Sequence, residues 1–508
     1  MDGRLGAEPE GPTAVAEQPR AKASPAALTS LVGTLRGIVG DKWCYEHEHQ
    51  LRTYESDGLL QYTSTPRAAV LPGSAEEVQA CVRACARAGV PWVARGAGSG
   101  LSGGALPVED GILIVTSRLK RILHVDLENQ RICVEPGVTN TAVSAAVGPA
   151  LFYPPDPSSQ IVCTIGGNVA ENSGGAHCFK YGFTTNYVCG LEVVLPDGEL
   201  VTLGGEALDP PGYDLIGAFV GSEGTLGIAT KVWLRVVPSP ETVKTLVAFF
   251  DSTRVAGEAV SAIVQAGVVP GAIEMMDARA IEASEQMAHA GYPVGRGAAL
   301  LVELDGAERE CEARFDEVVE ICERCGSDDV RVARDDVERA LFWKTRKAAF
   351  PAMGRMSPNY FVQDGVIPRT KLPEVLEAID ALAEEYGMLV ANVFHAGDGN
   401  LHPLVCFDGR KEGEAERAEE LSGRILEACL EAGGSITGEH GVGIDKKKHM
   451  PKMFGEDDLD AFQRLRCAWD PAGLANPGKV MPTPRLCGEV PGVYRQHPLE
   501  AAGLAERF

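Results

Sequence analysis

The sequence contains no apolar run of about 18 residues or more, so no transmembrane helix is expected. Its first residues lack the basic-then-apolar pattern of a secretory leader, which places the chain in the cytoplasm as an expectation. Cations are scarce: 47 Lys and Arg against 71 Asp and Glu leave a net charge of −24. Nucleic acid and anionic membrane need clustered cations, so neither is expected as a main partner. A small anionic substrate is still compatible, because a pocket can invert the local field. The 14 cysteines are scattered, Cys44, Cys81, Cys133, Cys189 and Cys406 among them, mostly in apolar runs, as reduced core thiols are. No four-cysteine cluster occurs, so an iron–sulfur centre would sit on another subunit. The CxxC pair Cys322/Cys325 lies in a helical stretch and reads as structural spacing.

What the chain has in quantity is glycine, 58 residues, and the glycines cluster. Pro91–Gly104 reads P-W-V-A-R-G-A-G-S-G-L-S-G-G. Without Cβ atoms, successive backbone N–H groups can crowd around an anion such as a pyrophosphate, and Ser99 and Ser102 add hydroxyl donors. Gly98, Gly100 and Gly103 spell G-x-G-x-x-G, but turn residues 105–111 follow instead of a helix, and no acidic residue ends a second strand. A Rossmann site is therefore rejected. Two more small-residue regions follow, Pro154–Gly175 and Gly221–Ile228. Three such loops in one stretch of chain suit the walls of one extended groove better than separate surface loops.

Around them the pattern alternates. Helices are expected at Leu28–Val39, at 75–88 behind a Ser74/Glu77 capping box, and at 139–147. Strands are expected at 112–116, 122–125 and 132–135, and Pro196-Asp197-Gly198 marks a hairpin. Beyond Pro238-Ser239-Pro240, strands 245–250, 272–275 and 299–304 alternate with helices near 253–266, 278–289, 307–325 and 335–348, and 412–432 forms a long amphipathic helix. His47-Glu48-His49 lacks a partner at helical spacing and is read as exposed. Lys344 and Lys347 are assigned to a solvated helix face, and Lys446-Lys447-Lys448 to surface charge.

One constellation carries chemistry. Apolar strands 389–394 and 404–407 flank Asp398-Gly399, a strong hairpin signal. A two-residue turn there places His395 directly opposite His402, on one face, close enough to share a divalent metal. Paired sheet histidines without a metal are the plainer alternative. Gly438-Glu439-His440-Gly441 adds a carboxylate and a third imidazole between glycines that allow close approach to a ligand.

With these motifs in view, the chain resembles the FAD-linked D-2-hydroxy-acid oxidases and dehydrogenases, flavoproteins of the vanillyl-alcohol-oxidase type. The resemblance runs from about Asp41 to Pro482. It rests on R-G-A-G-S-G-L-S-G-G, P-P-D-P, T-I-G-G-N-V-A-E-N-S-G-G, G-S-E-G-T-L-G-I, H-A-G-D-G-N-L-H-P and T-G-E-H-G-V-G. It implies an α+β fold with four parts. These are a disordered tail (1–26), a PCMH-type FAD-binding domain (27–240), a C-terminal substrate domain (241–482) whose end returns to the flavin, and a second tail (483–508).

The resemblance further implies pyrophosphate contacts from Arg95, Gly96, Ala97, Gly98, Ser99, Gly100 and Leu101. Pro155, Asp156, Thr164, Gly167, Asn168, Gly174 and Gly175 would line the flavin, with Gly224, Ile228 and Asn476 completing its site. Ser99 stands where some relatives carry a flavin-attaching histidine, so FAD would be held non-covalently. His395, His402 and Glu439 would hold a divalent metal (Zn, Mn, Fe or Co), His440 would act as base, and Arg346 would clamp the substrate carboxylate. The implied reaction is oxidation of a glycolate- or D-lactate-type acid to the 2-oxo acid. An iron–sulfur subunit or a quinone would accept the electrons, and a partner would bring the protein to the inner membrane. Leu404 replaces a polar contact found in some relatives, against a second carboxylate site. The rival readings are a non-redox flavin transferase of the alkylglycerone-phosphate synthase kind and a flavin-binding subunit of a larger complex.

Overall fold

A computed structural model describes residues 24–207 and 212–482. The second expected tail and most of the first lie outside these residues. The first helix runs Pro25–Val39 and is capped by the Ser24 hydroxyl, so residues 25 and 26 are helical, not part of a tail. Proline at the first turn gives up an N–H that would be unpaired there anyway.

The N-terminal half holds two sheets. The first has strands in the order Cys44–Tyr45, Ala68–Val70, Ile112–Val115, Trp92–Arg95, the last three parallel to one another. The helix Ala75–Ala88 covers it with Val78, Cys81, Val82 and Cys85, the stripe its periodicity predicts. Ser74 caps that helix as expected, but the Glu77 carboxylate accepts from the Gly73 N–H (2.6 Å), one residue before the position a capping box requires. The second sheet is antiparallel, in the order Ile122–Asp126, Arg131–Val134, Ile228–Arg235, Val188–Val194, Leu200–Gly204. Its last two strands form the expected hairpin, with Val194 opposite Leu200 and Gly198 at φ +88° in the turn.

The C-terminal half is built on a nine-stranded sheet whose residues alternate between two cores. On strand Thr242–Phe250, Leu246, Ala248 and Phe250 face helices Thr253–Gln265, Glu308–Arg324, Leu372–Tyr386 and Glu414–Glu431. Val247 and Phe249 face helices Ala278–Ala288 and Asp336–Met356. Period-two alternation with both faces apolar is what a sheet buried on both sides requires.

Helix Asp336–Met356 overruns its expected end at 348 and carries Pro351 inside. A proline there removes one backbone hydrogen bond. Ala349, Ala352 and Met353 are buried against the sheet, and this packing sustains the helix past the break. The extension brings Phe350 and Pro351 to the wall of the main cavity, beside Lys347.

The two halves are joined by buried charge. Glu303, on the nine-stranded sheet, accepts from Thr245 Oγ1 (2.7 Å), Trp343 Nε1 (2.7 Å) and Arg339 Nε (2.9 Å). His177, from the other half, lies between Asp156 (2.8 Å) and Glu303 (3.3 Å) and stacks on Trp343. Burial disfavours the charged ring, but the two carboxylates outweigh it and raise His177 to about 10. The chain also returns: Ala475 bridges Trp92, placing the C-terminal segment beside the first sheet.

A histidine whose folded pKa exceeds its unfolded value stabilises fully below the unfolded value and loses that contribution as pH rises through the folded one. The window here runs from about 6.5 to about 10. His177→Gln is expected to lower Tm by a few degrees at pH 6.5. Its deficit against the parent protein should shrink toward pH 10, as checked by thermal unfolding across that range.

Candidate active site

A cavity of about 590 Å³ lies where the glycine loops of the N-terminal half meet the C-terminal half. Its wall includes Arg95, Gly96, Ala97, Gly98, Ser99, Gly100, Leu101, Thr164, Gly167, Asn168, Gly224 and Ile228, together with His402, Glu439 and His440. The structure thus brings the three glycine regions and the histidine site, far apart in sequence, onto one surface. Pro155, Asp156, Gly174, Gly175 and Asn476 are not on that wall. The Pro155 carbonyl holds Asn140, and Asp156 holds His177. Asn476 donates to the carbonyls of Gly104 (2.9 Å) and Glu223 (2.6 Å), tying the first glycine loop to the third.

Arg95 acts on the loop itself. Its buried guanidinium donates to the carbonyls of Tyr54, Ser56 and Ala105, closing the glycine loop at its base. The wall fits a polar, anionic cofactor: backbone is presented without Cβ atoms, and the buried Ser222 hydroxyl has no hydrogen-bond partner. Flavin-attaching chemistry is absent from the first loop, where Ser99 stands.

The histidine pair corrects the expected hairpin. His395 lies opposite Asn400, and Asn392 opposite Pro403, so the same register sets His402 opposite Val393. The turn spans Ala396 to Gly399. Only Gly399 has positive φ (+79°), whereas the two-residue turn expected there needs positive φ at Asp398 as well. The two histidines are therefore diagonal neighbours on one face, with ring centroids 5.1 Å apart, edge to face.

Each of these rings has one nitrogen fixed and one free. His395 Nδ1 bonds the Glu274 carboxylate (2.7 Å), and His402 Nδ1 bonds the Gln363 carbonyl (3.2 Å). The Nε2 atoms converge on Glu439 Oε1, at 3.3 and 3.2 Å. Two imidazole nitrogens and a carboxylate, each imidazole oriented by a second acceptor, fit a divalent cation. His440 stacks on His402 at 4.9 Å, nearly parallel. Burial lowers its pKa to about 4, which keeps the ring neutral, and its Nδ1 is buried without a partner.

Of three residues that organise this site, Asp364 and Glu274 went unread in the sequence and Lys446 was misassigned. Asp364, fully buried, accepts from Thr437 Oγ1 (2.5 Å) and from the backbone N–H groups of Gly438 (3.0 Å), Glu439 (3.2 Å) and His440 (2.9 Å). Lys446 adds its ammonium at 3.0 Å. Burial alone would raise the Asp364 carboxyl, but Lys446 and the nearby imidazoles hold it well below its usual range. Lys446 thus belongs to the core, contrary to the surface assignment, while Lys448 pairs with Glu419 outside. The readable signals were a lone acid in an apolar stretch for Asp364, and Val442 and Ile444 just ahead of Lys446. Glu274, the third, offered none.

From the third glycine loop, Glu223 accepts the N–H groups of Val442 (2.6 Å) and Gly443 (2.7 Å). Gly441, just before them, has φ +83°, and a Cβ there would lie 2.2 Å from the Glu171 carboxylate.

Arg346 is placed differently from a simple clamp. It is buried, not on the cavity wall, and its Nη2 is 2.7 Å from Glu274, leaving Nε buried without a partner. The wall position on that helix belongs to Lys347, which is exposed, as its assignment to a solvated face expects, and lines the cavity. His47 and His49 are exposed as expected, and their rings stack on each other.

Comparison with known proteins agrees with this architecture. Residues 66–204 match the FAD binding domain family, and residues 239–480 match the FAD linked oxidases, C-terminal domain. The chain is 50% identical to the glycolate oxidase subunit GlcD of Escherichia coli K12, over 92% of this chain and 94% of that protein. It is 39% identical to GlcD of Bacillus subtilis (84% and 91%) and 33% identical to a D-lactate dehydrogenase of Anaerostipes hadrus (88% and 94%). Among solved structures, p-cresol methylhydroxylase superposes with a TM-score of 0.76 at 16% identity, covering 90% of this chain and 97% of that one. Alkyldihydroxyacetonephosphate synthase gives 0.69 at 18%, covering 88% and 84%. These two likenesses establish the PCMH-type fold. The chain belongs to the FAD-linked oxidases, alongside glycolate oxidase subunits and D-lactate dehydrogenases, and is an FAD-dependent oxidoreductase.

Proposed function

We propose that the chain oxidises a small 2-hydroxy acid of the glycolate or D-lactate type to the 2-oxo acid. The observation that carries this reading is the convergence of His395, His402 and Glu439 beside a neutral His440, on the cavity that the glycine loops line. The relatives named for glycolate and D-lactate support the substrate class. A bound FAD would supply a hydride acceptor for C2, and a divalent metal would supply a Lewis acid that lowers the pKa of the substrate hydroxyl.

The chain's own residues do the rest. His395 Nε2, His402 Nε2 and Glu439 hold the metal, with Glu274 and the Gln363 carbonyl fixing the rings. His440, neutral and with a free nitrogen, accepts the hydroxyl proton. Arg346, with its Nε unpartnered, draws the carboxylate. Gly96 to Leu101 cradle the FAD pyrophosphate, and Thr164, Gly167, Asn168, Gly224 and Ile228 line the rest of the cofactor. Pro155, Asp156, Gly174, Gly175 and Asn476 lie off that wall. Leu404 is buried among apolar side chains, which favours acids with a single carboxylate.

No helix among the described residues is long and apolar enough to cross a membrane. We assign the protein to the cytoplasm, passing electrons to a partner subunit with an iron–sulfur centre or to a quinone, and reaching the inner membrane through that partner. A non-redox flavin transferase shares the fold, but the relatives at 30% identity and above favour hydroxy-acid oxidation.

The purified protein should be yellow, and acid denaturation should release FAD into the supernatant. Flavin that stays with the precipitate would overturn the non-covalent assignment, and a chain that binds no FAD would end the reading. A substrate panel with an artificial electron acceptor identifies the acid.

Elemental analysis separates the four residues of the metal site. His395→Ala, His402→Ala and Glu439→Ala should lose metal and turnover together. His440→Ala should keep metal and lose turnover by roughly 10²–10⁴-fold. FAD content should survive in all four. If His440→Ala loses metal and Glu439→Ala keeps it, the two roles are exchanged.

Arg346→Ala should cost about 2–4 kcal/mol of transition-state binding, measured as kcat/KM, and Arg346→Lys should not restore it, since the planar fork is gone. Metal content is the control. If it falls in parallel with activity, Arg346 acts through Glu274 and His395 and does not bind substrate.

A further inference from the structure

The cavity wall carries the acids Glu171, Glu223 and Glu439, and among the described residues its only Lys and Arg side chains are Arg95 and Lys347. Arg95 is consumed by three carbonyls. Of the other cations near the site, Lys446 is committed to Asp364, Arg339 to Glu303 and Lys479 to the Leu106 carbonyl, and Arg346 is buried off the wall with Nη2 on Glu274 and only its Nε unpartnered. Lys347 has no carboxylate partner among the described residues. Its ammonium lies over the Trp343 indole, 5.6 Å from the ring centroid. Such a cation–π contact at an exposed site is weak, about 0.5–1 kcal/mol, and is readily exchanged for an anion.

Lys347 lines the same cavity as His402 and His440. Phe350, one turn further along the same helix, sets its ring 6.2 Å from that of His402, which stacks in turn on His440. An anionic substrate must approach a protein of net charge −24. Something in the wall has to offset that field, because like charge slows diffusional encounter.

We propose that Lys347 is the substrate-binding cation that receives the carboxylate of the incoming acid at the cavity wall and draws it toward His402 and His440. This rests on the reading of the site as one for 2-hydroxy acids. Lys347 leaves the Trp343 face, pairs with the carboxylate, and so raises association and affinity for anions over neutral alcohols. Its charge acts on capture, before the proton and hydride leave the substrate. The effect is therefore carried in kcat/KM and is screened by salt.

The test uses the FAD-loaded protein with glycolate at low ionic strength. Lys347→Gln should lower kcat/KM about tenfold while kcat changes far less, and the gap should close to under about threefold in 0.5 M salt. Lys347→Arg should restore most of the loss. Oxalate, a carboxylate that is not oxidised, should bind Lys347→Gln about tenfold more weakly, as read from the flavin absorbance change. Parent-like kcat/KM and oxalate affinity in Lys347→Gln would overturn the proposal. Loss of bound FAD in Lys347→Gln would overturn it too, by giving the lysine to a cofactor phosphate. If the parent protein oxidises no 2-hydroxy acid, the functional reading fails by itself, and the oxalate titration still decides whether Lys347 captures carboxylates.

Discussion

The site depends on one buried carboxylate. Asp364 gathers the backbone of Gly438, Glu439 and His440, the Thr437 hydroxyl and the Lys446 ammonium around its two oxygens. A segment of this kind, rich in glycine and without regular structure, has no intrinsic preference for one shape. Accepting three successive N–H groups on one acceptor imposes a shape, and it is the shape that turns Glu439 toward His395 and His402. The ammonium is what makes the arrangement tolerable in the interior, since an unpaired buried carboxylate would be protonated or expel the loop.

From the other side Glu223 performs a matching task. It belongs to a glycine loop of the N-terminal half, yet it holds Val442 and Gly443 of the same segment. The segment is thus suspended between the two halves, fixed by one acid from each. Together with the His177 and Glu303 contacts, this makes the cavity a property of the joined halves. The glycine loops come from one half and the histidines from the other, so the joining of the halves sets the separation between them.

A second line of order runs Arg346, Glu274, His395. The guanidinium fixes a carboxylate, the carboxylate fixes Nδ1, and Nε2 is left aimed at Glu439. His402 is oriented more simply, by a backbone carbonyl. The same helix that buries Arg346 on one side presents Lys347 on the other, so two adjacent cations serve opposite faces: one holds the protein's own carboxylate, and the other is open to the cavity.

Local chemistry determined much of this chain. The glycine loops, the helix stripes such as Val78, Cys81, Val82 and Cys85, the Pro196–Gly198 hairpin and the pairing of His395 with His402 on one face are all legible, because each depends on neighbours within a few residues. Motifs sufficed to indicate the flavoprotein family. The tertiary structure decided what depends on partners far along the chain. The hairpin at 396–399 took a longer turn because Asp398 did not adopt positive φ, moving His402 from opposite His395 to diagonal from it. Lys446 looked like surface charge because its partner, Asp364, is 82 residues away. Lys347 and Arg346 are neighbours in sequence, and only helix packing decides which one is buried. Charged side chains carry no local sign of their partner, so the electrostatics of the site is the part that folding alone revealed.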